Sequence, residues 1–393
     1  MEMKLLRTVH PIGQGTFISE RFIGADETDL AVVVYDCGSN NTTILKREIS
    51  SSFGNIKEID ILFISHFDSD HVNGVRELLK NTKIKTVVVP LIDKKNRWFY
   101  LYQLGNERDV LLNPLDYFKA EKIIEVRPVS TNDVPTSNPN QRQESLRIDG
   151  IPPGNHTYSS GTAFSLNGLP RWSYRPYNFD ESTRIAALES VLQNLKIDKK
   201  CLNDPAYIEG HYRKINDAYK KVCSDGANKS SLIVYSGPLY WECSIKTYMG
   251  CACTDCCTKA KHSSMDTFLT TDLLPQTICE KRIRAACLYL GDTDLNQMNS
   301  TTKMDILTDL CQYLSGVKDN IGTIQLPHHG ARRNYNQKLP SSFPNAKIYF
   351  VSFGSSNIYG HPSNAIIGQL LAQGLQVVRV CNQRQTAFIE IIY

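Results

Sequence analysis

The sequence contains no uninterrupted run of about 18 apolar residues, so a membrane-spanning helix is not expected. Its first residues, MEMKLLRTVHPIGQG, have neither an extended apolar stretch nor a small-residue cleavage site. No secretion signal is read there, and a cytoplasmic location is expected. Charge of one sign is also missing: 44 Lys and Arg against 40 Asp and Glu leave +4, too little to announce a nucleic-acid partner from charge alone. What is present is ordinary for a folded protein. With 41% hydrophobic, 9% aromatic and 21% charged residues over 393 positions, collagen-like, coiled-coil and wholly disordered chains are excluded.

Cysteine is not scarce. Twelve are present, and six of them lie between Cys243 and Cys279. Without an export signal, reduced thiols or metal ligands are expected ahead of a disulfide framework. Cys243, Cys251, Cys253, Cys256 and Cys257, with His262 nearby, could form a structural zinc knot. The C-x-C-x-x-C-C spacing is not that of a paired zinc ribbon, so zinc, ordinary thiols and disulfides all stay open.

No internal repeat is visible, and the landmarks are short apolar runs that stop at polar or glycine-containing elbows. Leu30–Tyr35, Ile59–Ser65, Ile84–Val89, Ala286–Leu290, Ile321–Leu326 and Ala346–Phe353 read as buried strands. Helical periodicity follows several of them, over Val72–Leu79, Lys303–Leu314 and Asn364–Ala372. The alternation predicts an α/β fold, read as one domain over residues 1–393. Three stretches read as insertions: an irregular one at 94–160, a helical one at 181–227 and a cysteine-rich one at 238–284.

The strand ends carry the chemistry. Ser65-His66-Phe67-Asp68-Ser69-Asp70-His71 places four potential ligands in six positions where a buried strand gives way to a helix. On an extended or turning segment alternate side chains share a side, so His66 and Asp68 can hold one ion while Asp70 and His71 turn to a second. Gly291-Asp292-Thr293-Asp294 closes another apolar strand, and a carboxylate there could bridge two cations, although alone it reads as a turn. Pro327-His328-His329-Gly330 and Tyr359-Gly360-His361-Pro362 offer imidazoles as further ligands or as proton donors beside a bound anion.

Taken together and in this order, these motifs resemble the metallo-β-lactamase-fold hydrolases, specifically the soluble hydrolase domain of the ComEC-type DNA-uptake competence proteins. The likeness rests on Gly13-Gln14-Gly15, Tyr35-Asp36-Cys37-Gly38, Ser65 to His71, Asn228-Lys229-Ser230-Ser231-Leu232, Gly291-Asp292, Leu326 to Gly330 and Ser352 to Pro362. It implies a four-layer αββα sandwich with a two-metal site along one edge of the paired sheets. It also implies His66 and Asp68 as ligands of one ion, Asp70 and His71 of the other, and Asp292 as the bridge. The last histidine ligand would be His329 on topological order, with His361 as the alternative. His328 and His361 would hold phosphate or protonate the leaving group. Two departures stand out. Asp68 occupies a position that is commonly histidine, which leaves manganese and zinc both open, and no histidine stands near Asn228–Ser231, where a third ligand of the first ion is usual. Thr16 also replaces an acidic residue.

The expected activity is that of a metal-dependent hydrolase, a phosphodiesterase or nuclease in which a metal-bridging hydroxide attacks and Asp70, His328 and His361 take catalytic parts. Lys94-Lys95-Asn96-Arg97-Trp98-Phe99-Tyr100 and Arg332-Arg333 could clamp phosphates and stack bases of a nucleic acid, or serve as an ordinary solvated face or as packing for an insertion. Two alternatives remain at this stage: a small-molecule phosphodiesterase acting on a cyclic nucleotide or phospholipid-type headgroup, and a regulatory or binding module, with a protein partner, that keeps a degenerate site.

Overall fold

The computed structural model describes residues 3–101, 107–129, 145–169, 171–180, 182–222, 231–239, 247–251, 278–281 and 284–393. Cys243, Cys253, Cys256, Cys257 and His262 lie outside the described residues, as does the side chain of Cys251. The strands in chain order are β1 (Lys4–Val9), β2 (Phe17–Ile23), β3 (Asp29–Cys37), β4 (Glu58–Phe63), β5 (Lys83–Pro90), β6 (Lys122–Arg127), β7 (Leu146–Arg147), β8 (Gly154–Ser159) and β9 (Phe164–Ser165). They continue with β10 (Trp172–Tyr177), β11 (Ile233–Pro238), β12 (Thr247–Cys251), β13 (Ile278–Lys281), β14 (Ala286–Tyr289), β15 (Ile321–Gln325), β16 (Ile348–Ser352), β17 (Gln376–Val380) and β18 (Phe388–Ile392). Among the described residues they form two mixed sheets, ordered β13-β12-β18-β1-β2-β3-β4-β5-β6-β8 and β17-β16-β15-β14-β11-β10-β9-β7.

The apolar runs are continuous because these strands are covered on both faces. Successive side chains point to opposite sides, so Ala31, Val33 and Tyr35 of β3 enter one core while Val32 and Val34 enter another. The same split divides Ile348 and Phe350 from Tyr349 and Val351 in β16. One core therefore lies between the sheets. A second packs the outer face of the first sheet on the helix Thr42–Phe53 and the short helices that follow β4. A third packs the other sheet on Ile306–Tyr313 and Asn364–Ala372. This is the four-layer αββα sandwich of the metallo-β-lactamase fold.

Two stretches differ from their sequence reading. Residues 94–160, expected to be irregular, supply β6 and β8, which extend the first sheet in parallel. β8 is an edge strand whose GNHTYS alternates between half-buried and exposed positions, so it carries little apolar signal. Within the basic and aromatic run at 94–100, Trp98 and Phe99 do not form an open stacking face. Trp98 and Phe99 are buried with Leu188, Leu192 and Ile215 in a satellite core built on the helices Ser182–Asn194 and Pro205–Val222. Tyr219 Oη donates to the Phe99 carbonyl at 2.9 Å, which fixes that contact.

The inter-sheet core encloses a charged knot. Buried Arg7 donates to Glu20 at 2.7 Å and to Glu390 at 2.6 Å. Tyr174, Tyr289 and Ser236 hydroxyls supply further hydrogen bonds to Glu20. One guanidinium thus holds two carboxylates, and removing it leaves both charges buried without a cation. Among the described residues no helix is long and apolar enough to cross a membrane.

Arg7→Met is expected to lower stability by about 3–5 kcal/mol in urea unfolding. Lys4→Ala, which breaks a more exposed pair with Glu27, should cost less than about 1 kcal/mol. Equal losses in the two variants would contradict the role assigned to the knot.

Candidate metal centre

The centre forms where β3, β4, β11, β14, β15 and β16 end side by side. Close approach of the backbone makes it compact. A Cβ on Gly15 would lie 2.6 Å from the Asp70 carbonyl, and one on Gly38 would lie 2.4 Å from His71 N, so only glycine lets these loops lie against the Ser65–His71 turn. Asp36, His328 and His329 adopt positive φ of 54°, 47° and 53°, a left-handed conformation that non-glycine residues rarely take. The His328 turn is held by its own N–H donating to the Gly291 carbonyl at 2.8 Å.

Each of three imidazoles is fixed through one ring nitrogen. His71 Nδ1 bonds to Asp36 Oδ2 at 2.7 Å, and Asp36 is itself fully buried and accepts from Ser65 N at 2.7 Å and Ser65 Oγ at 2.6 Å. His66 Nδ1 meets Ser65 Oγ at 2.9 Å and Ser231 Oγ at 3.1 Å. His329 Nδ1 donates to the Ser352 carbonyl at 3.0 Å. The opposite nitrogens, Nε2 of His66, His71 and His329, are buried and have no hydrogen-bond partner among the described residues. Buried polar atoms are seldom left so, and a ring held at Nδ1 with its Nε2 bare is the arrangement of a metal ligand.

The Nε2 atoms converge on carboxylates. Asp292 Oδ1 lies 3.5 Å from His71 Nε2 and 3.9 Å from His329 Nε2, while its Oδ2 lies 3.8 Å from His66 Nε2 and 3.6 Å from His328 Nε2. Asp70 Oδ2 is 3.7 Å from His329 Nε2, and Asp68 Oδ2 is 3.6 Å from His66 Nε2. These separations are too long for hydrogen bonds. They match two ligands on one ion, which stand roughly 3 to 4 Å apart when each is about 2.0–2.2 Å from the metal. Two groups close to within 4.8 Å, His66 with His71 and Asp292, and Asp70 with His71 and His329. The donor set, nitrogen and carboxylate oxygen, fits a divalent cation. His71 belongs to both groups, where the sequence reading placed it with Asp70 alone.

The charges reinforce one another. Burial alone would raise Asp70, but the neighbouring imidazoles of His329 and His71 hold it down to about 2. Asp292, fully buried, is likewise held far below the usual carboxylate range by His328, His71, His329 and His66. Burial would lower His71, yet Asp292 and Asp36 lift it to about 10, and His329 is raised by Asp292 and Asp70. His361 behaves oppositely: burial, then His328 and His329, push it down to about 4. It is neutral near pH 7. Its ring lies 5.8 Å from that of His328 and outside both ligand groups, so the cluster takes in His329 and leaves His361 at its rim.

Ser65 and Ser231 were not singled out in the sequence. Ser231 Oγ also accepts from Asp292 N at 2.8 Å, tying the bridge-forming elbow to His66. It occupies the stretch where a histidine was missed, and contributes there an orienting hydroxyl.

A profile described as the Metallo-beta-lactamase superfamily matches residues 26–161. Among solved structures, a long form RNase Z from yeast is 10% identical with a TM-score of 0.32 over 91% of this chain. The chain spans 38% of that protein's length. Unliganded yeast PDE1 is 10% identical with a TM-score of 0.39 over 99% of each chain. Similarities this weak carry no inference about chemistry. No curated protein matches, and none of these likenesses bears on the ComEC branch.

Asp36→Asn should weaken binding of manganese or zinc about 10- to 100-fold in a calorimetric titration, because His71 loses its anionic orienting partner. An unchanged affinity would contradict that role. The pH dependence of the metal-free protein follows from the same charges. His71 is raised above its ordinary ~6.5, so its contribution is full below about pH 6.5 and is lost as pH rises toward about 10. Asp70 is depressed, so its contribution is full above about pH 4 and is lost as pH falls toward about 2. Thermal melts in chelator should therefore peak between about pH 4 and 6.5. A melting temperature that climbed from pH 7 to 10 would refute this balance.

Proposed function

We propose that the protein is a metal-dependent phosphodiesterase that cleaves a phosphodiester in a nucleic acid or nucleotide. The observation that carries this reading is the pair of ligand groups sharing His71 and flanking one carboxylate, Asp292, whose two oxygens face different imidazoles. His66, Asp68 and Asp292 would hold one cation, and Asp70, His329 and Asp292 the second, with the single free nitrogen of His71, Nε2, within reach of either but able to serve only one. Manganese and zinc are both compatible with the mixed oxygen and nitrogen set. When bound, such ions polarise phosphoryl oxygens and lower the pKa of water to near neutrality.

The chain's own groups do the rest. Asp36 fixes the tautomer of His71, Ser65 and Ser231 set the plane of His66, and the Ser352 carbonyl sets that of His329. His328 stands beside Asp292 on the more exposed side, where it can pass a proton to a departing alkoxide. Neutral His361, next to His328, can hold a phosphoryl oxygen through its N–H.

The test is a panel of single- and double-stranded DNA and RNA, cyclic nucleotides and glycerophosphocholine, assayed with manganese, zinc and magnesium. At least one diester should be cut, and Asp292→Ala should reduce the rate by on the order of 10²–10³-fold or more. Failure to cut any diester with any metal, or a fully active Asp292→Ala variant, would refute the reading.

A further inference from the structure

A cavity of about 440 Å³ opens beside the metal centre, between the segment that follows β5 and the stretch leading from β10 into the helix Ser182–Asn194. His66 forms part of its wall, so one end lies beside the ligand cluster. Phe67 of the same turn and Pro90 at the end of β5 adjoin it, and residues within 91–100, 127–128 and 178–185 supply the remainder. Phe67, Tyr100 and Phe179 line it with aromatic rings, Lys95 and Arg127 put cations at it beside the carboxylates of Asp93 and Asp180, Lys95 pairing with Asp93 at 3.1 Å, and Asn96 offers an amide. The satellite core beneath holds this wall in place: Tyr100 follows buried Phe99, and Ile185 reaches both the cavity and that core.

We propose that this cavity seats one nucleotide unit, with the base between the aromatic faces and the phosphate directed toward His66. The inference deepens the phosphodiesterase reading and rests on it for what becomes of the bound group. The volume falls in the lower part of the ~300–1,000 Å³ range of small-ligand pockets, and is far too small for a duplex. Aromatic faces take a base of any sequence by stacking. The amide and cations at the same cavity suit a polar ring with an attached phosphate, and leave an acyl chain poorly matched. The nucleotide unit could be a free nucleotide or the end of a strand, since both present the same base and phosphate.

Calorimetry with the manganese-loaded 393-residue chain separates these outcomes. The probes are the four ribonucleoside 5′-monophosphates, ribose 5-phosphate as the form without a base, and a 5′-phosphorylated oligonucleotide. At least one monophosphate should bind about tenfold or more tightly than ribose 5-phosphate. Asn96→Trp, which fills the cavity, should abolish that difference, and Tyr100→Ala, which removes a face, should reduce it. Equal affinity for ribose 5-phosphate and all four nucleotides would overturn the proposal, as would a preference that survives both substitutions. An oligonucleotide that binds like the monophosphate supports occupancy by a strand end, and one that does not supports occupancy by a free nucleotide. A base preference abolished by Asn96→Trp in a protein that cuts no diester would uphold the pocket and refute the phosphodiesterase reading. Diester cleavage without any base preference would do the reverse.

Discussion

Three buried imidazoles are pinned at Nδ1 so that their Nε2 atoms face inward with no protein partner, and this constraint governs the rest of the centre. Asp36, Ser65, Ser231 and the Ser352 carbonyl provide the pins, and they come from four separate strand ends. Bare nitrogens and paired carboxylates in so small a volume are costly unless something neutralises them. In the metal-free protein protons serve, which is why His71 and His329 rise while Asp70 and Asp292 fall. A dication does the same with full occupancy of the ligand atoms.

The sandwich exists to bring those strand ends together. β4 delivers the Ser65–His71 turn from one sheet, and β14, β15 and β16 deliver Asp292, His329 and Ser352 from the other. The buried Arg7, Glu20 and Glu390 knot ties β1 and β2 to β18 within the core between the sheets, and its Tyr174, Tyr289 and Ser236 partners belong to the second sheet. Glycines at 15 and 38 let the loops close over Asp70 and His71. The metal ligands therefore rest on backbone that has little freedom to shift.

Much of this was legible in the sequence because doubly covered strands produce unbroken apolar runs. LAVVVY, IDILFIS and IKTVVV mark β3, β4 and β5; the turn after β4 carries the ligands and the end of β3 carries Asp36, which orients His71. Asn364–Ala372 is helical over the span that its periodicity predicts. The single helix read over Val72–Leu79 is instead two short ones, Ser69–Val72 and Val75–Leu78, interrupted at Asn73-Gly74 where the Cys37 carbonyl accepts from Gly74 N. Edge strand β8 was not legible, since solvent on its polar positions removes the apolar signal. In the aromatic run at 94–100 the alternatives of base stacking and packing for an insertion were both open, because composition does not reveal that Trp98 and Phe99 face a helical pair more than 80 residues away. Serines that orient imidazoles are invisible in one sequence because serine is common in turns, and only the hydrogen bonds to His66 distinguish Ser65 and Ser231.

The central claim is that these residues bind divalent cations side by side around Asp292. Crystals grown with manganese and measured for anomalous scattering address it directly. The account predicts two peaks flanking the Asp292 carboxylate, one near His66 and one between Asp70 and His329. Strong data with no anomalous density at either position would contradict it.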